Sequence, residues 1–216
     1  MTLNRDRIVQ TALCLLDEVG LEALSLRRLA SDLDVNASAL YWHFRNKQEL
    51  LDEMARAVAT PIPAKQLPAT GALTWDHCLR LVAQAWRQAM LSHRDGALLL
   101  TAARPADDQV ADLERLLDAL VAAGFPPADA MRGFFTITNY VLGAVLEQQR
   151  GPRGDTDDPR GPAQPGPTLT AAREAVLDRD VMFEHGLTLI LEGMRAQLSP
   201  AWMDKGGGRG GCTENP

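Results

Sequence analysis

The sequence predicts an all-α protein in two parts: an N-terminal three-helix unit built around a helix-turn-helix, and a larger helical unit beyond a proline-rich linker. Three observations carry this. Apolar residues recur at helical spacing through most of the chain. The composition is 46% hydrophobic but only 5% aromatic. Runs that could be strands, such as Ala97 to Leu100, are short and lie inside longer helical periods. A length of 216 residues suits one large or two small domains with ample apolar content for a core.

Asn4 is placed to cap a first helix running to about Gly20, with Ile8, Ala12, Leu15, Leu16 and Val19 on one face. From Ser25 a short amphipathic helix follows, with Leu26, Leu29, Ala30 and Leu33 on its inner side and Arg27 and Arg28 facing solvent. Asp34-Val35-Asn36 breaks the period: Asp tolerates a left-handed backbone, and Asn36 is placed to cap the next helix. That helix, expected from Ala37 to Phe44, commits Leu40 and Phe44 to the core and puts Ala37, Ser38 and Ala39 in a slim leading turn. A major groove admits such a turn, and Arg45 and Lys47 follow it. Asn46-Lys47-Gln48-Glu49 has the form of a capping box, opening a linking helix with Leu50, Leu51, Met54 and Val58.

Pro61, Pro63, Pro68 and Gly71 mark the boundary between the two parts. Helical pattern returns from Trp75 to about Ser92, with Leu79, Val82, Ala83, Trp86 and Met90. It continues in a short apolar segment after Arg94-Asp95-Gly96, and from Asp107 to Ala123 with Val110, Leu113, Leu116, Leu117 and Leu120. Pro127 opens a long helix to about Gln149 that is apolar nearly all round and must be buried on several sides. Arg150 to Pro167, rich in Gly, Pro, Asp and Arg, reads as a flexible loop; helix resumes near Leu169 and from Asp180 to Leu198, and Lys205 to Pro216 reads as a disordered tail. The expected domains are 1–59, 60–200 with a loop at 150–168, and a tail at 201–216.

A net charge of −6 looks wrong for a nucleic-acid binder, but between Ser25 and Lys47 four cations (Arg27, Arg28, Arg45, Lys47) face two carboxylates (Asp32, Asp34), a local balance of +2. Local charge governs phosphate contact. The polar start has no signal-peptide core and no apolar run nears membrane-spanning length, so a cytoplasmic, membrane-free protein is expected. Cys14, on an apolar helix face, Cys78 and Cys212 make neither a disulfide framework nor a zinc site and read as buried or incidental thiols. His77, His93 and His185 have no partner at metal or catalytic spacing, and no nucleophile elbow, phosphate loop or carboxylate pair stands out. Neither enzyme activity, a metal nor a cofactor is expected.

Leu40-Tyr41-Trp42-His43-Phe44-Arg45-Asn46-Lys47, followed by Leu50 and Leu51, resembles the signature of the tetracycline repressor (TetR) family, departing from it at the turn, where Gly is common and Asp34 stands here. The resemblance implies a homodimeric transcriptional repressor on double-stranded DNA. It places Arg27 where the family carries an Arg able to bond guanine, and Tyr41, Trp42 and His43 where phosphates and thymine methyls are touched. A short helix could equally turn Trp42 inward against the first helix. Arg28, Asn36 and the leading turn Ala37, Ser38 and Ala39 complete the expected DNA face. Lys47 and its helix N-terminus would meet a phosphate.

His93-Arg94-Asp95-Gly96-Ala97, Arg104-Pro105, Leu142 to Gln149 and Phe183 to Leu187 resemble the regulatory domain of the family's drug-responsive members. This implies that the long helix and the last helix pair with their copies in a four-helix bundle; both carry more apolar surface than one protomer can cover. In those repressors a His, an Asn and a second His help hold a magnesium-tetracycline chelate. The corresponding places are Pro63 or Ala64, Val82 and Leu100, none able to supply a ligand, and an expected Gln is replaced by Leu116. The expected effector is therefore apolar or aromatic, held by Val82, Trp86, Leu100, Leu113, Leu116, Phe134 and Ile137, with Arg104, Thr138 and Asn139 as polar points. The same residues could instead pack solid, giving a constitutive repressor. A small-molecule-binding protein or enzyme with a vestigial head is a further alternative. The segment after Gly96 should abut the linking helix and relay between the parts.

Overall fold

The computed structural model describes residues 3–59, 74–105, 107–150, 166–175 and 177–198, and every regular element among them is a helix. Helix α1 (Arg5–Ala23) starts where expected, the Asn4 side chain accepting the Arg7 N–H at 2.8 Å. Gly20 takes φ 78°, but the chain kinks there rather than stopping, and helix continues to Ala23. Helix α2 (Leu26–Asp32) is capped by Ser25, and Asp34 adopts the expected left-handed turn at φ 53°.

Helix α3 (Ala37–Tyr41) is shorter than the expected Ala37–Phe44. The His43 and Phe44 N–H groups both close on the Leu40 carbonyl, at 2.9 and 2.8 Å, and the chain turns at once into the cap of the next helix. Asn36 does not cap α3 with its side chain; its backbone carbonyl accepts from Ala39 instead. Helix α4 (Lys47–Val58) is capped by Asn46, which accepts the Glu49 N–H at 2.9 Å. Glu49 reaches back one residue further than a capping box requires, to the Arg45 N–H at 2.8 Å.

Ile8, Leu15, Leu16, Leu29, Leu40, Phe44, Leu50 and Met54 close the core of α1–α4. Cys14, expected on the apolar face of α1, is exposed, whereas Cys78 is buried. The second part comprises α5 (Trp75–Leu91), α6 (Gly96–Ala102), α7 (Asp107–Ala122), α8 (Pro127–Gln149), α9 (Pro167–Ala175) and α10 (Arg179–Gln197). Its core gathers Leu79, Leu116, Leu120, Phe134, Ile137, Val141, Phe183 and Leu187 around α8. Val110, expected in the apolar stripe of α7, is exposed.

Tyr140 of α8 stacks on Phe183 of α10 and donates to the Phe183 carbonyl at 3.0 Å. A Cβ at Gly186 would come within 2.2 Å of that phenol oxygen, so glycine here leaves the room that the Tyr140 ring occupies against α10. Within one protomer α8 is not covered on several sides: Phe135 is 54% exposed, and on α10 Leu189 is 61% exposed. The proline-rich linker, most of the 150–168 loop and the tail lie outside the described residues; α9 already begins at Pro167.

Candidate nucleic-acid interface and effector site

The residues expected at the DNA face are oriented by apolar neighbours. Leu26 and Leu29 are buried, which turns Arg27 and Arg28 outward. Leu40 and Phe44, both fully buried, anchor α3 from beneath and leave Ser38 exposed, Ala37, Ala39 and His43 half-buried, Tyr41 55% exposed and Trp42 90% exposed. Trp42 therefore does not pack against α1. Asn36 is exposed at the start of α3. Arg27, Arg28, Asn36, Ser38, Tyr41 and Trp42 are exposed on α2, α3 and the turns beside α3.

Lys47 opens α4, and its Nζ donates to the Leu21 carbonyl at 3.1 Å. The Leu21 N–H is held in turn by Asp95 Oδ2, at 2.9 Å, from the turn between α5 and α6. One residue, Leu21, thus stands between a cation of the head and a carboxylate of the second part. Beside it, Asp17 binds the Arg94 N–H at 2.8 Å and His93 Nδ1 at 2.9 Å. Gly20 must be a glycine here, both for its positive φ and because a Cβ would lie 2.8 Å from Asp95 Oδ2.

Helix α6 belongs to both cores. Ala97 is buried in the second core, Leu99 is fully buried among the head residues, and Leu100 packs against both. At its end Gln48 of α4 donates to the Ala102 carbonyl, and Asp52 accepts the Arg104 N–H, at 2.8 and 2.9 Å. The segment after Gly96 does abut the linking helix.

Of the expected effector residues, Leu116, Phe134 and Ile137 are buried in one cluster with Trp86, Leu100 and Leu113 packed on it. Trp86 meets Phe134 edge-on at 5.6 Å between ring centroids. Val82 is buried on α5 outside that cluster. Thr138 spends its hydroxyl hydrogen on the Phe134 carbonyl of its own helix, and Asn139 is exposed. Arg104 is not brought to this cluster; it is exposed, with its backbone tied to α4. Among the described residues no group of three or more His, Cys, Asp or Glu gathers to hold a metal. Burial pushes the Cys78 thiol and the Tyr140 phenol up, which keeps both protonated.

Leu99, Gln48, Asp52, Asp17 and Arg5 are missing from the sequence-based selection. Leu99 carries the faint signal of an apolar run; the polar residues pair across long separations and carry none.

The family model described as "Bacterial regulatory proteins, tetR family" matches residues 8–54, and that described as "Tetracyclin repressor-like, C-terminal domain" matches residues 67–198. The chain belongs to the TetR family. Among relatives, the tetracycline repressor protein class D of Escherichia coli is 35% identical over 208 residues, covering 95% of each chain. The class A repressor solved with 5a,6-anhydrotetracycline and magnesium superposes with a TM-score of 0.68 at 33% identity, covering 90% of this chain and 99% of that one. BioQ bound to its natural double-stranded DNA operator gives a TM-score of 0.63 at 29% identity, again covering 90% and 99%. As a TetR-family transcriptional regulator the protein has no described helix long and apolar enough to cross a membrane.

Proposed function

We propose that this TetR-family regulator is a ligand-responsive repressor that binds a palindromic operator as a homodimer and is released by a small apolar or aromatic effector other than magnesium-tetracycline. The observation that carries this reading is α6, a helix buried at once in the reading head through Leu99 and in the effector core through Ala97. A change in that core cannot leave the head's placement untouched. DNA and effector then oppose each other by linkage.

The DNA face would be Arg27, Arg28, Asn36, Ala37, Ser38, Ala39, Tyr41, Trp42, His43 and Lys47. Its sparse hydroxyl content favours contact with thymine methyls over dense hydrogen-bonded readout. Two such faces must lie about one helical turn apart, roughly 34 to 36 Å, or a multiple. The second copy would pack along the groove of α8 and α10 lined by Gly133, Thr136, Leu189 and Gly193. A Cβ added at Gly193 meets nothing within 4 Å, which marks this surface as open in the single protomer. Val82 and Leu100 do not fit a magnesium chelate, because neither offers an oxygen or nitrogen to the metal or drug.

A selection on random duplexes tests the DNA reading, and enrichment of no sequence refutes it. Melting against a panel of apolar compounds, with tetracycline plus and minus magnesium, tests the effector. Saturation a hundredfold above Kd stabilises the folded state by about 2.7 kcal/mol. A magnesium-dependent rise with tetracycline refutes the proposed effector class. The close packing of Leu116, Phe134 and Ile137, each 8% exposed or less, favours a second reading, a constitutive repressor with a filled core. Silence across the panel would select it.

A further inference from the structure

We propose that Arg5, outside the DNA face, is the positioning residue that aims the recognition helix; this rests on the DNA-binding reading above. Helix α3 has five residues, and a helix that short does not hold itself in water. Its aim must come from tethers. Leu40 fixes its depth and Val35 and Ala37 pack at its start, but the turn that ends it, from His43 to Arg45, rests on the core through Phe44 alone and needs a further tether.

Arg5 supplies the missing constraint from the first residue of α1. Its guanidinium lies over the Phe44 ring, 4.4 Å from the centroid, and Nη1 donates to the His43 carbonyl at 2.6 Å. The same group bridges to Glu49 and Glu53 of α4, both at 3.3 Å. Glu49 then accepts the Arg45 N–H at 2.8 Å. Three consecutive residues after α3 are thereby gripped in three ways: the carbonyl of His43, the ring of Phe44 and the amide of Arg45. Rotation of α3 breaks all three together.

The assignment needs an arginine. A planar fork can stack on a ring while donating in several directions, which a lysine ammonium cannot. The charge arrangement also separates positioning from phosphate contact. Two carboxylates face the one guanidinium, so Arg5 presents no net positive charge to DNA, and its loss should release no counterion.

The test uses the full-length dimer, an operator selected by the wild-type protein from random duplexes, and a scrambled duplex of the same length. Arg5→Gln should weaken operator binding about tenfold, with scrambled-duplex affinity and the slope of log K against log salt both unchanged. Arg5→Lys should recover only part of the loss. A purely structural role would lower both affinities together with the melting temperature, and would overturn the proposal. So would unchanged operator binding, or a slope flattened by about 0.9, the mark of a direct phosphate contact. Should Arg5→Gln fail to fold, Glu49→Gln takes its place, with the same selective loss expected and an equal loss on both duplexes overturning it. If the wild type selects no sequence, the DNA reading falls and Arg5 has nothing to aim. A selective wild type with an equally selective Arg5→Gln refutes the Arg5 role alone.

Discussion

Leu99 gives the sharpest test of how the two parts are joined. It is fully buried in the head core although it belongs to α6, whereas Leu98 beside it is 45% exposed. Leu99→Ala removes a buried side chain and leaves a cavity, at a cost of about 2 to 5 kcal/mol. For a chain of this length each kcal/mol moves Tm by about 2 to 4 °C, so a central loss of about 3 kcal/mol predicts a drop of about 6 to 12 °C. Leu98→Ala, at an exposed site, should cost about 0.5 kcal/mol and shift Tm by less than about 2 °C. Both are measured by circular dichroism at one protein concentration, because Tm depends on it wherever chains associate. Amide exchange should accelerate in α1 and α4 for Leu99→Ala and not for Leu98→Ala. Equal, small shifts for the two variants would refute the assignment of α6 to the head core.

Lys47→Ala should weaken binding to all duplexes alike and flatten the salt slope by about 0.9, read by fluorescence anisotropy; an unchanged slope means Lys47 serves only the Leu21 carbonyl. Leu189→Glu puts a charge on the α8–α10 groove and should shift sedimentation from dimer toward monomer; a persistent dimer places the interface elsewhere. The hydrogen bond from the Arg45 N–H, followed by the Arg5 guanidinium, holds the Glu49 carboxyl below its ordinary value. The stability it lends is complete above the unfolded-state value and is lost as pH falls through the lowered folded one, so Glu49→Gln should flatten the acid branch of urea midpoint against pH.

Much of this architecture is legible in the sequence where local chemistry decides. Asn4 and Asn46, unlike the cap at Ser25, which was not read, announce α1 and α4 because a cap bonds within three residues of itself. Asp34 announces its left-handed turn in the same way. The end of α3 was not legible, because the helix stops to meet the cap of α4. Nor did Leu98-Leu99-Leu100 reveal which leucine enters which core, since three consecutive apolar residues cover most of a helix circumference. The junction of Asp17, Leu21, His93, Arg94 and Asp95 is written across separations of 74 to 77 residues, where no periodicity reaches. Among the residues expected to hold an effector, residue type alone could not place Arg104 outside and Leu116 inside.

Two tryptophans stand in contrasting environments, Trp42 bare to water after α3 and Trp86 half-buried and edge-on to Phe134 in the second core. The chain has four tryptophans, so once Trp75 and Trp202 are replaced by Phe these two remain as a pair of optical reporters, one emitting as a hydrated indole and the other as a partly shielded one. Trp42→Phe would silence the first and Trp86→Phe the second. Titration with DNA and with an effector could then be followed in separate spectral channels, without a dye, and the order in which the two signals change would time the communication between them.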